Sequence, residues 1–169
     1  MEHEWSIGPA SDADWTGIWD IFRDVISRGD TYTYAPDMSE EEAKNIWVRG
    51  GCHGYVVKYD GKIVGTFTIR TNKPGFGNHI ANAGYMVHKD FRGRGIAQSM
   101  CSYSLKEAKR LGFEAMQFNF VVSSNTAAVQ LWQKMGFKIV GTVPKAFRHK
   151  TLGLTDVYIM HRFLDDIKI

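Results

Sequence analysis

Cysteine is scarce in this chain. Its 169 residues hold two, Cys52 and Cys101. That is too few for a disulfide framework, and no CxxC pair or Cys/His cluster has metal-ligand spacing. A reducing, cytoplasmic setting and a chain with no metal are the corresponding expectations. Proline is also sparse, at 4 residues, and no repeat or low-complexity linker divides the sequence. No apolar run approaches the ~18 residues of a membrane span. The opening residues, Met1-Glu2-His3-Glu4-Trp5, are polar and acidic, unlike a secretory leader. Charge of one sign is lacking too: 21 Lys and Arg against 18 Asp and Glu leave a net +3. A nucleic-acid binder would be expected to concentrate far more basic charge on one face.

What the chain does have is apolar and aromatic content, 44% and 13% of residues, which excludes a disordered polypeptide. Its length fits one domain, residues 1–169, with a continuous core. The periodicities predict a short strand over 5–10, then a helix from Ser11 to about Gly29. Trp15, Ile18, Trp19, Phe22 and Ile26 share one face of that helix. Ser39 followed by Glu42 is a capping box that opens a second helix. Two β runs flank Asp60-Gly61, a tight-turn pair. A strand over 79–88, a helix over 95–111 and a strand over 115–122 form a βαβ unit with parallel strands. A helix over 125–135 and strands over 137–143 and 156–163 complete the chain. The fold class is therefore mixed α/β: antiparallel strands first, a central βαβ unit, and an αββ tail.

The most informative stretch runs from Gly84 to Ala97. A strand enters a turn containing Arg92, Gly93, Arg94 and Gly95, and a helix starts at Ile96-Ala97-Gln98. Small residues permit close backbone approach, and free N–H groups at a helix start favour phosphate. The alternative is a glycine-rich loop before an ordinary helix. Without Gly-Lys-Ser/Thr the turn is not a nucleotide P-loop. Gly93-x-Gly95-x-Ala97 is also not the dinucleotide fingerprint, which usually opens its fold.

The motif Arg92-x-x-Gly95-x-Ala97 resembles the R/Q-x-x-G-x-G/A turn of the GNAT superfamily of acyl-CoA-dependent N-acetyltransferases. The run from Asn125 through Trp132 to Lys134-Met135-Gly136-Phe137 is similar to that family's second signature. The resemblance implies a mixed central sheet with two splayed parallel strands, and acetyl-CoA as acyl donor. It implies that the N–H groups of Gly93, Arg94, Gly95, Ile96, Ala97 and Gln98 hold the pyrophosphate, with Arg92 beside them. Tyr85 and Val87 would pair with the pantetheine arm through their backbones. The Val87 N–H would polarise the thioester carbonyl, and Asn125 would reach the pantetheine region. The family often places an acidic tyrosine where this chain has Trp132. An indole N–H is no proton donor for a leaving group, so Trp132 reads as packing beside the cofactor. A thiolate, with a thiol pKa of roughly 8.5, leaves without much help.

Two asparagines, Asn82 and Asn119, fall on strands that disfavour them. They read either as cleft residues that hold the acceptor or as partners of neighbouring loops. The combination with Asn125 resembles a sub-branch that includes fungal acetyltransferases of proline analogues. Tyr32 and Tyr34, with Asp30, read as contacts for a polar, cationic amine or as a surface turn. Arg148 and His149 read as a carboxylate contact and a base, or as an exposed loop. The expected activity is transfer of acetyl to the amine of a small molecule, such as an amino acid or analogue, by direct attack. A peptide N-terminus as acceptor, or a non-catalytic acyl-CoA-binding module, are the alternatives. The expected partners exclude nucleic acid and membrane and include a homodimer mate, since many relatives are homodimers.

Overall fold

The computed structural model describes residues 4–169. Residues 1–3, which belong to the polar start, lie outside the described residues. The strands build one mixed sheet in the order β1-β2-β3-β4-β5-β7-β6. β1 (Trp5–Pro9), β2 (His53–Tyr59), β3 (Lys62–Thr71) and β4 (Ile80–Val87) are successive antiparallel neighbours. β5 (Ala115–Val122) lies parallel to β4. β7 (Gly153–Phe163) inserts between β5 and β6 (Lys138–His149), antiparallel to both.

Local chemistry explains the elements. Asp60 and Gly61 take φ of 47° and 74°, the double positive-φ turn that matches strand twist. A single 3-10 turn, Asp12–Asp14, leads into α1 (Trp15–Arg28). The Asp14 carboxylate accepts from the Ser11 backbone N–H at 2.8 Å and from its hydroxyl at 3.1 Å. α1 ends at Gly29 in the left-handed region, the usual helix stop. α2 (Glu40–Trp47) opens on the reciprocal Ser39–Glu42 box read from sequence.

The sheet buries a core on each face. α3 (Ile96–Arg110) and α4 (Thr126–Lys134) cover one, over Phe67, Ile69, Met116, Phe118 and Phe137. α1 and α2 cover the other, with Ile18, Phe22, Trp47 and Met86. Trp47 is fully buried, and its indole N–H donates to Thr66 Oγ1 at 2.9 Å. Truncating such a residue costs about 3–5 kcal/mol.

Two boundaries depart from expectation. The sequence predicts β6 ending near Val143 and β7 beginning near Asp156, and Pro144, just beyond the first, lacks a ladder donor. β6 instead runs on to His149 across a bulge. The register shifts between Val143 and Phe147, Lys145 takes φ 53°, and its N–H donates to Asp156 Oδ1 at 2.9 Å. The bulge removes the proline from the ladder and lets both strands extend.

Candidate active site

β4 and β5 pair only at Ile80–Ala115 and Ala81–Met116, then diverge. The Ile80 carbonyl accepts from Asn72, and the His88 N–H donates to Val64. Even-numbered β4 residues therefore bond back toward β3. Ala83, Tyr85 and Val87 aim their backbone groups into the gap. A cleft of about 670 Å³ fills that gap.

At one end the cleft meets the start of α3. The His88 Nδ1 accepts the Asp90 N–H at 3.1 Å and fixes the turn Lys89–Phe91. Burial holds the His88 pKa below its ordinary value, which suits an imidazole used as acceptor. Gly93 and Gly95 follow with φ of 74° and 86°, a conformation that disfavours other residues. A Cβ on either would meet no atom within 4 Å, so both face open space. The first-turn N–H groups of Ile96, Ala97 and Gln98 have no intrahelical acceptor. All three residues line the cleft, with Arg92, Gly93 and Gly95. Arg92 and Arg28 share the Asp24 carboxylate at 3.5 and 3.6 Å. Bare backbone, free donors and a guanidinium fit a pyrophosphate. The Arg94 guanidinium stacks over Phe91 at 4.7 Å, which leaves the backbone N–H as the group Arg94 offers the turn.

In the middle, the Tyr32 hydroxyl donates to the Tyr85 carbonyl and accepts from the Tyr85 N–H, both at 2.9 Å. Gly84 permits this approach. A Cβ there would lie 3.2 Å from the Tyr32 oxygen and 3.4 Å from the Trp47 ring. Burial, reinforced by Tyr34, pushes the Tyr32 phenol well above its ordinary range. The sequence reading gave Tyr85 to the pantetheine arm and Tyr32 to the acceptor. The structure joins the two, so that of Tyr85 and Val87 only Val87 keeps its backbone open to the gap. Trp132 packs 5.0 Å from the rings of both Tyr85 and Phe118. Asn125 caps α4, its side chain accepting from the Ala128 N–H at 3.4 Å. Both Trp132 and Asn125 line the cleft.

The far end gathers Asp30, Tyr34, Arg70, Asn82, Asn119 and Phe120. Asn119 donates to Asn72 Oδ1 at 2.6 Å and accepts from Gln117 at 3.0 Å. Tyr34 stacks on Tyr32 with 5.7 Å between ring centres. His149 is a correction. Its Nδ1 accepts the N–H groups of Thr151 and Leu152, each at 3.1 Å. That bonding closes the β6–β7 turn, and the imidazole is not on the cleft wall. Arg148 faces a second depression behind the Tyr32–Tyr34 segment.

Sequence reasoning missed Arg70 and Arg28. The Nε of each is buried without a hydrogen-bond partner, as is Asp30 Oδ1. The available signal was a lone arginine at the end of an apolar strand, which reads equally as a strand terminus. No cysteine lines the cleft. Cys101 is buried, and burial pushes its thiol up to about 12. Among the described residues no group of three or more His, Cys, Asp or Glu could hold a metal.

Two strands that part beside a glycine turn define a class of protein. Such a gap, with free N–H groups at one end, has the shape and the donors for an extended, phosphate-bearing ligand. The sequence model of the Acetyltransferase (GNAT) family matches residues 16–137, and the chain belongs to that family. A GCN5-related N-acetyltransferase from Kribbella flavida superposes with TM-score 0.91 at 40% identity, covering 95% of this chain and 98% of that one. The N-acetyltransferase aca1 of Schizosaccharomyces pombe is 35% identical over 57% of this chain and 47% of its own length. The chain thus spans about half of that relative. The L-amino acid N-acetyltransferase AaaT of Escherichia coli is 27% identical over 68% of this chain and 70% of its own.

Proposed function

We propose that the protein transfers acetyl from acetyl-CoA to the amine of a small molecule by direct attack. The observation that carries this reading is one continuous cleft, running from the α3 turn to a polar far wall, with no cysteine on it. A covalent acyl-enzyme has no thiol there to form on. The N–H groups of Gly93 to Gln98, with Arg92, hold the pyrophosphate. The Val87 N–H, open to the gap, donates to the thioester oxygen and stabilises its developing charge. Asp30 is the one carboxylate on the cleft wall among the described residues, and it takes the proton that the amine releases. The new N–C bond forms, the C–S bond breaks, and CoA departs as thiolate. Proximity in the cleft supplies much of the rate.

The Asp30–Tyr34 segment, stacked over β4, favours a small acceptor over a folded protein. An amino acid or analogue falls in this class, as the name of the E. coli relative states for that protein. A thiol-release assay with acetyl-CoA across amines, amino acids and short peptides tests the reading. Turnover on small amines is expected. Tight acetyl-CoA binding with no thiol release on any acceptor would overturn it in favour of a binding module.

A further inference from the structure

The far wall contains a guanidinium that no side chain among the described residues pairs with. Arg70 lies on β3, opposite Asn82 of β4 in the sheet register. Side chains alternate along a strand, so Arg70 shares the α1/α2 face with Thr66 and Thr68, and Asn82 shares it with Met86. Both residues line the cleft. The Arg70 guanidinium makes no hydrogen bond and no ion pair among the described residues, and its Nε is buried. The Asn82 amide has no hydrogen-bond partner among the described residues either. Placing an unpaired guanidinium on a cleft wall is costly unless a ligand completes it.

We infer that Arg70 and Asn82 anchor a carboxylate on the acceptor, which makes the acceptor an amino acid or another amine that carries a carboxylate nearby. This rests on the acetyltransferase reading of the cleft. A guanidinium presents paired donors in a planar fork that matches carboxylate bidentately, and the amide adds a donor. Position separates this anchor from the phosphate end. β4 runs from Asn82 toward Val87 and only then reaches the turn at Arg92. Asn82 and Tyr85 stand ~10 Å apart along the strand. An arginine side chain and a small amino acid span that distance together. Asp30, with an unpaired buried oxygen, supplies the opposite charge for the ammonium. The wall is thus complementary to a zwitterion.

The test compares matched acceptors: an α-amino acid, its carboxamide and its decarboxylated amine. Wild-type protein is expected to favour the acid. Arg70→Met is expected to raise KM for the acid about 10- to 100-fold, the range of a charged hydrogen-bond pair. KM for acetyl-CoA and kcat/KM for the decarboxylated amine stay unchanged. Arg70→Lys keeps the charge without the fork and recovers part of the loss. Tm in Arg70→Met is expected to hold or rise, because the half-buried guanidinium makes no hydrogen bond or ion pair among the described residues. Equal losses on all three acceptors, or no preference for the acid in wild type, overturn the inference. Calorimetric titration of the same acceptors in the presence of CoA reads binding without turnover. Carboxylate-dependent binding that vanishes in Arg70→Met supports the anchor even if no thiol is released, an outcome that would sink only the acetyltransferase reading. Binding indifferent to the carboxylate sinks the anchor alone.

Discussion

The two ends of the cleft are built by different means. The end proposed for the phosphates is one contiguous segment, Arg92 to Gln98, which offers backbone N–H groups at the start of α3. The end proposed for the acceptor is made of side chains from separate elements: Asp30 and Tyr34 before α2, Arg70 on β3, Asn82 on β4, Asn119 on β5. A backbone site depends on conformation, so a glycine pattern encodes it. A side-chain site depends on sheet order and register, which decide what stands beside what. The first kind suits a donor shared by a whole family. The second can change its ligand one residue at a time.

Altering the ends separately sharpens that contrast. Gly95→Glu has the largest expected effect. It fills open space at the helix start and forces a positive φ on a residue that resists it. Acetyl-CoA affinity should fall at least ~100-fold through lost charge-assisted hydrogen bonds and like-charge repulsion, while circular dichroism shows the fold intact. Unchanged affinity by calorimetry would move the phosphate site elsewhere. Asp30→Asn comes next. Loss of a general base lowers kcat by about 100-fold, with KM for acetyl-CoA unaffected. A kcat within a few-fold of wild type would give the proton to solvent.

Asn119→Ala is expected to be milder, since its amide is already bonded to Asn72 and Gln117. One neutral hydrogen bond is worth about a factor of 5 in acceptor kcat/KM. A change confined to Tm would make Asn119 a brace between the β3–β4 loop and β5. The smallest effect on chemistry is expected from Tyr32→Phe, which bridges the two ends. It strands the Tyr85 N–H and carbonyl, costing about 2 kcal/mol and lowering Tm by roughly 4–8 °C. An unchanged Tm would mean that the hydroxyl contributes nothing to holding the loop on β4.

The same division governs what could be read from the sequence. The Asp60-Gly61 hairpin, the Ser39–Glu42 box and the Gly93–Gln98 turn are local devices, and each was visible because its chemistry lies within a few residues. The bulge at Pro144 was invisible, because only the partner carboxylate of Asp156 shows that the strand continues. His149 looked like a free base because nothing nearby in sequence revealed that Thr151 and Leu152 would claim its Nδ1. Tyr32 was legible as a cleft residue, but its grip on Tyr85 crosses from the α1–α2 connection to β4. Arg70 escaped notice entirely. Its significance comes from the absence of a partner, and only the packed structure displays that.

The most direct measurement is a crystal structure with CoA and an N-acetylated amino acid bound together. The account predicts pyrophosphate oxygens on the N–H groups of Gly93 to Gln98, the pantetheine arm along the Val87 edge, and the carboxylate on Arg70 and Asn82. CoA lying outside the gap between β4 and β5, or phosphates held away from the α3 start, would contradict it.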